Sequence, residues 1–536
     1  MNKIVLIRML LLFVFLLLTN CNKVEVEKKE TPPITPKWAL GHIVWEDSIN
    51  TQTAATDLIK QYKEHNIPVD GIIIDSPWSL SYNDFNWNKE RYPNPNKMIA
   101  NFKKQNVKVI LWLTGCINST ARDVPVQLSS NFNYAKEHNY VINNGKESKW
   151  WKGLGMHLDF TNKNAVKWWN KELDKVFVDG VYGWKVDQGE AVFGDTVVTS
   201  LGKMSIREFK KYYYNSMYDY ATSKRNGEGI ILARPFSHQA NLDGFCATVP
   251  KMSLGWCGDF SGDWSGLKLQ IDNIYKSAKA NYGALGCEIA GFQNKRSTKE
   301  QFIRYAQFAS MVGGMVNGGA NGAFTNHLPW YHDEETTNIY RYYVTLHHEL
   351  SGYKFSELVN AHLNGGSLLK DVSFTEESHK VGNDIFFKAI TSDSAKVAFS
   401  LPKTDEWIDF WSGEKYNGGS KIAKEYSLEK APIFIRSGAI IPLEISNSVT
   451  GIGDETFDGK ITLLIYPNGK SKYLYHQPLG DGIRYSDIEI SYNDGEISVK
   501  SGKENSYIFL IKKEGTKDGF LKIEKDGKDF KMVVKN

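Results

Sequence analysis

Cysteine is scarce here, five residues in a chain of 536, and none of them stands in a CxxC or other zinc-type spacing. Neither a disulfide framework nor a structural zinc is indicated, and Cys116, Cys246, Cys257 and Cys287 read as small buried hydrophobes. No glycine-rich phosphate loop marks a nucleotide fold. Excess charge is slight, +4 from 65 basic and 61 acidic residues, and no basic run interleaves with aromatics, so nucleic acid is not an expected partner. What remains is ordinary globular composition, 41% hydrophobic and 24% charged, at a length that calls for two or three domains. Aromatics reach 13%, with 15 Trp and 27 Tyr, enough to fill cores and also to offer stacking faces to sugar rings.

The N-terminus reads as a targeting segment. Lys3 and Arg8 precede the apolar run "MLLLFVFLLL", which is short for a bilayer span and fits a signal-peptide core over residues 1–20. The run ends in "LLTNC", which resembles a bacterial lipobox with Cys21 as the lipidated first residue of the mature chain. A plain secretory signal with an incidental cysteine is the alternative. Residues 21–36, charged and ending in prolines, read as a solvated tether. Together these features predict a cell-envelope protein that meets the membrane only through a lipid.

From residue 37 to 351, eight apolar strand-like runs alternate with amphipathic stretches: "ALGHIVW", "GIIIDSPW", "VKVILWLTG", "GWKVD", "GIILARPF", "MSLGWCGD", "LGCEIAGF" and "GGMVNGG". Leu267, Ile271, Ile274 and Ala278 share one helical face. The fold class predicted is a (β/α)8 barrel, the doubly wound sheet being disfavoured by the missing phosphate loop. The link between the fifth and sixth strands is too polar for a full helix. Beyond 351 the pattern turns to short β runs separated by Gly, Asn, Asp and Ser, which predicts two sandwich-like modules, 352–445 and 446–536.

Active sites of such barrels gather at the C-terminal strand ends. Strand two ends in Asp75, strand four in Asp187 and Glu190, strand five in Arg234 and strand six in Asp259, while strand seven carries Glu288. Trp78, Trp256 and Trp264 flank them. Acids at strand ends also serve as helix caps and ion-pair partners. Without a histidine pair or cysteine cluster beside them, they point to proton and covalent chemistry, and no cofactor or metal is expected. Two carboxyl groups facing each other across a sugar are the apparatus of glycoside hydrolysis, and Asp187 and Asp259 are placed to meet across the mouth.

At these residues the sequence resembles glycoside hydrolase family 31, from about Trp38 to Pro442. The resemblance is carried in order by "IPVDGIIIDSPW" with "FNWN", "YPNPNKMI" and "VKVILW", then by "LDFTNKNAVKWW", "WKVDQGE", "WCGDFSGDW", "GCEIAGF" and "WIDFWSG" with "APIFIRSGAIIP". It implies Asp187 as nucleophile, Asp259 as acid/base, and Asp75 and Arg234 on the sugar hydroxyls. Lys185, Trp78, Trp256, Trp264, Glu288 and His327 complete the implied sugar site, with Glu190 holding the strand-four loop. Three departures stand out: only the tether precedes Trp38, where the family carries a β-sandwich; Glu288 replaces an aspartate; and the segment around His327 differs. The implied activity is retaining, exo-acting α-glycoside hydrolysis of an oligo- or polysaccharide, with α-glucoside first and α-galactoside or α-xyloside as competitors. An inactive sugar-binding lipoprotein on the same barrel is disfavoured, since both reacting aspartates are present.

Overall fold

A computed structural model describes residues 30–237, 243–292, 296–318, 327–513 and 519–534. The apolar run, Cys21 and most of the stretch 21–36 lie outside the described residues. All eight expected strands form, and they close into a parallel barrel in chain order. They are β1 (His42–Glu46), β2 (Gly71–Ile74), β3 (Lys108–Leu113), β4 (Val181–Val186), β5 (Ile230–Ala233), β6 (Leu254–Trp256), β7 (Leu285–Ile289) and β8 (Gly314–Asn317). Closure is made by β8 on β1, with His42 opposite Met315 and Val44 opposite Asn317. Ile72–Ile74 and Val109–Leu111 are wholly buried, because a barrel strand covered on both faces needs a continuous apolar run rather than alternation.

The outer layer is α1 (Gln52–Glu64), α2 (Pro95–Lys104), α3 (Lys163–Leu173), α4 (Ile206–Lys224), α5 (Trp264–Lys279), α6 (Lys299–Ser310) and α7 (Glu334–Glu349). Their starts are chemically marked. Thr298 and Gln301 form a capping box on α6, and Ser205 and Asp333 cap α4 and α7. The predicted stripe Leu267, Ile271, Ile274, Ala278 is buried on α5, each large aliphatic contributing about 1.5–3 kcal/mol by leaving water. Between β5 and β6 the described residues hold only a two-residue pairing, Phe236–Ser237 with Gly244–Phe245, and a single turn at Val249–Lys251.

The end of the stretch read as a tether differs from that expectation. Pro32, Thr35 and Pro36 are buried, and the Thr35 hydroxyl donates to the Ser253 carbonyl at 2.5 Å, so prolines and a threonine with surface to bury join the barrel. Two features at the mouth were not anticipated. After β3 the chain makes a three-stranded antiparallel sheet from Cys116–Ala121, Ser148–Trp150 and Gly153–His157, and after β4 a hairpin of Thr196–Thr199 and Gly202–Ser205. The stretch after 351 opens with a further helix, α8 (Ser351–Asn364).

The rest is all-β. One six-stranded antiparallel sheet runs from Leu369 to Arg436 around Phe386, Phe399, Trp407 and Phe434. A second six-stranded sheet begins at Ile440, mixed because Ile461–Ile465 runs parallel to Glu496–Lys512, and encloses Leu463, Ile488, Ile490 and Phe509. The distal sheet returns to the barrel: Ser356 on α8 accepts from the His476 amide at 3.0 Å, and Lys108 pairs with Asp481 at 2.6 Å.

Candidate active site

Each reacting candidate sits where a buried strand ends. Asp187 follows Val186 of β4, and its amide donates to the Leu113 carbonyl at 2.9 Å, which extends the β3–β4 ladder one residue and fixes the backbone. Its side chain is held from two sides. Oδ1 accepts from Arg234 at 2.5 Å and from the Gln188 amide at 2.8 Å, while Oδ2 accepts from the Trp112 indole at 3.1 Å. Burial alone would raise this carboxyl, but Arg234 and then Lys185 outweigh it and hold the pKa down to about 2. Asp187 is therefore ionised at neutral pH.

Asp259 lies beyond β6 and shares the same guanidinium, Oδ2 accepting from the other Arg234 nitrogen at 2.9 Å. The fork thus brings both carboxyl groups within the span of one sugar ring. The Asp259 side chain keeps 36% of its surface open at the mouth, yet it is crowded by protein atoms on its other sides. That desolvation, with Asp187 beside it, raises its carboxyl above the usual range in spite of Arg234. Arg234 itself is buried with its guanidinium 4.0 Å from the Trp256 ring centre.

The remaining floor is charged and aromatic. Lys185 pairs with Asp75 at 2.7 Å, and its ammonium lies 3.3 Å from the Trp45 ring and 4.6 Å from that of Trp256. Burial works against this charge, and Asp75 and then Asp187 more than restore it, so its pKa is raised. Glu288 on β7 is fully buried beside Trp256. Burial and then Asp259 push it well above the usual carboxylate range.

Asp75, Lys185, Asp187, Arg234, Trp256, Asp259 and Glu288 therefore share one centre. Hydrogen bonding or burial characterises each of the other residues singled out. Trp78 is buried, donating to the Trp112 carbonyl at 2.8 Å, so it backs β3. Trp264 opens α5 and its indole donates to Asp393 of the following β-module at 3.0 Å. Glu190 is fully buried, with an ion pair to Lys210 at 2.8 Å and an oxygen on the Gly189 amide at 2.8 Å, so it braces the loop after β4. His327 is buried, and desolvation, with His332 and Arg296 nearby, lowers its pKa to about 4; residues 319–326 before it lie outside the described residues.

Four residues of the centre escaped the sequence reading: Trp112, Trp45, Phe292 and Asp47. Phe292 stacks on Trp45 at 5.0 Å. Asp47 follows β1 directly, and burial and then Asp75 raise its pKa well above the carboxylate range. An acid at a strand end was the signal used for the other strands, and it was legible here in "VWED". Trp112 carried no such signal, because an aromatic closing an apolar run reads as core.

Against known proteins, residues 32–357 match the glycosyl hydrolases family 31 TIM-barrel domain and residues 370–441 the family's C-terminal domain. The chain is 25% identical over 505 residues to alpha-glucosidase 2 of Bacillus thermoamyloliquefaciens, covering 89% of this chain and 62% of that protein. It is 24% identical to an alpha-xylosidase of Saccharolobus solfataricus, covering 90% and 66%. The family 31 alpha-xylosidase structure from Xanthomonas citri superposes with a TM-score of 0.80 at 17% identity, over 94% of this chain and 60% of that one. The chain thus spans roughly three fifths of the length of such relatives. The family barrel model alone matches well over half of the residues, and the chain belongs to glycosyl hydrolase family 31.

Proposed function

We propose that the chain is a retaining, exo-acting α-glycoside hydrolase. The observation that carries this reading is Arg234, one guanidinium holding two carboxyl groups whose proton affinities are driven in opposite directions. Asp187, ionised, attacks the anomeric carbon while Asp259, protonated, gives its proton to the departing glycosidic oxygen. Arg234 and the Gln188 amide occupy Oδ1, so Oδ2, which among the described residues accepts from Trp112, is the attacking oxygen. Asp259, now a carboxylate, then takes a proton from water, which breaks the glycosyl–Asp187 bond and frees the sugar with its configuration retained. The reaction balances with water alone.

Asp75, Lys185 and Glu288 line the floor beneath the terminal sugar and bind its hydroxyls. An α-glucosyl unit is the first choice, supported by the relatives named as α-glucosidases. The ammonium of Lys185 in that floor makes α-xylosyl and α-galactosyl units the competing choices. A panel of p-nitrophenyl α-glycosides names the sugar, and proton NMR of the first product tests the mechanism. The α-anomer is expected first, and an initial β-anomer overturns double displacement.

We further propose that the mature chain is anchored in the cell envelope by lipid on Cys21. Lys3, Arg8, the apolar run and the "LLTNC" junction support this. Cys21→Ser is expected to move the protein from the membrane to the soluble fraction or to block processing. Recovery of the processed native protein without detergent would refute it.

A further inference from the structure

The helix α5 buries more than its apolar stripe. Gln270 and Asn273 stand one turn apart on it, both enclosed, and a buried carboxamide costs free energy unless it is hydrogen-bonded. The end of a strand sets where those bonds go. β6 pairs with β7 at Gly255–Leu285 and Trp256–Gly286 and leaves the ladder before Glu288 is reached. On its other side β7 stays in register with β8 as far as Ile289.

Gln270 fills the place that β6 leaves. Its Oε1 accepts from the Glu288 amide at 2.9 Å, and its Nε2 donates to the Glu288 carbonyl at 2.8 Å. One side-chain amide thus stands in for one peptide of a neighbouring strand, with both bonds on a single residue. The same Oε1 accepts from the Cys257 and Cys287 thiols at 2.9 and 3.3 Å. Asn273 donates to the Cys257 carbonyl at 3.0 Å, so α5 also holds the point from which the chain runs on to Asp259.

The residue gripped in this way belongs to the site. Asp259 and Lys185 lie near enough to Glu288 for their charges to act on its carboxyl group. Directly beyond β7 the chain bends through Ala290 and Gly291, with φ of 62° and 68°, and the Gly291 amide donates back to the Glu288 carbonyl at 3.3 Å. An alanine in the left-handed region is held there against its own preference. The backbone of Glu288 is therefore fixed from behind the sheet, before a bend that would otherwise relax.

We propose that Gln270 is a positioning residue for the reaction: it fixes the Glu288 backbone and, through it, the carboxyl group beneath the terminal sugar. This rests on the glycosidase reading and adds to it a side chain on the outer layer of the barrel that touches no substrate. Arg234 and Trp112 hold the reacting aspartates by their side chains, whereas Glu288 is placed through its peptide groups.

The test is a double-mutant cycle on hydrolysis of a p-nitrophenyl α-glycoside. Gln270→Met keeps the volume and removes both bonds. Alone it is expected to lower kcat/KM about 10-fold, the size of two neutral hydrogen bonds. Made in a Glu288→Ala chain, it is expected to cost less than about twofold, because the group it positions is gone. Gln270→Glu gives a reading that does not depend on Glu288→Ala staying active. While protonated, its carboxyl group matches the donor and acceptor of the amide, and burial raises its pKa. Its kcat/KM should stay within about threefold of wild type at pH 5 and fall away from it as the pH rises, with thermal melts showing a folded chain at each pH. Equal losses from Gln270→Met in both backgrounds, no loss in either, or a Gln270→Glu ratio to wild type that does not change with pH overturns the positioning role. Failure of the wild-type chain to hydrolyse any aryl α-glycoside refutes the glycosidase reading itself, an outcome distinct from those.

Discussion

Replacing Arg234 by methionine removes the one charge that touches both carboxyl groups while keeping most of the side chain's volume. The consequence follows from signs. Arg234 is the strongest influence holding Asp187 down, and it also lowers Asp259 against burial. An opposite charge within a few ångström is worth about 1–3 pKa units on a carboxyl group. The acid limb of the kcat/KM profile, set by Asp187 near 2, is therefore expected to rise to about pH 3–5. The alkaline limb, set by Asp259, rises with it, so the whole bell slides to higher pH. The maximum also falls, because the sugar loses a donor and the buried Asp187 carboxylate loses its partner, a change that costs about 3–5 kcal/mol of stability. A thermal melt at each pH keeps unfolding apart from titration. Arg234→Lys keeps the charge but loses the fork, and should leave the acid limb within about one unit of wild type while still lowering the rate. The assay is hydrolysis of a p-nitrophenyl α-glycoside from pH 2.5 to 9. A Met variant whose acid limb stays below pH 3 would show that Arg234 does not set the ionisation of Asp187, and the argument built on the shared guanidinium would fall.

Asp187→Ala is expected to abolish turnover in a folded protein. Asp259→Ala should still form the glycosyl-enzyme from a substrate with a good leaving group and be rescued by azide, and azide rescue of the Asp187 variant alone would reverse the two roles. Trp112→Phe keeps the ring and removes the 3.1 Å bond to Asp187 Oδ2; kcat should fall about 10-fold with KM little changed, the worth of one hydrogen bond to a charged group, and an unaltered kcat would remove Trp112 from the positioning of the nucleophile. Glu349 offers a test of stability. It is buried, accepts from the Thr450 hydroxyl at 2.7 Å, and desolvation raises its pKa to about 8. Between its ordinary 4.5 and that value the folded chain keeps a proton that the unfolded chain has released, so stability falls as pH rises through this window. Glu349→Gln should therefore raise Tm at pH 8.5 more than at pH 5, and an equal change at both would count against a buried neutral acid.

The barrel was legible in the chain because its signal is local and repeated. Each strand is a short β-branched or aromatic run, such as "GIIID", that must be apolar throughout to be covered on both faces, and each helix carries its own stripe and cap. The acids at the strand ends were legible for the same reason, since a carboxyl group at the end of a buried run costs desolvation unless it has a partner or a task. Asp47 carried the same signal at the end of the first strand, where it was not used. Other features depended on partners distant in sequence. Trp78 and Trp264 read like rim aromatics, yet their indole N–H groups are taken by Trp112, 34 residues away, and Asp393, 129 residues away. Nothing in "PPITP" announced that Pro32 and Thr35 would be buried, because the surface they join is built by residues some 200 positions later.

By itself the sequence determined the kind and order of elements and the presence of two candidate acids, since hydrophobic period and strand-end chemistry are written within a few residues. Only the tertiary structure decided what those acids are. Asp187 and Asp259 are the same side chain. Closing the barrel set both on Arg234, put Lys185 and Trp112 beside one and left the other half open at the mouth, so one is driven to about 2 and the other upward. Charge and desolvation act through space, over distances that separation along the chain does not encode.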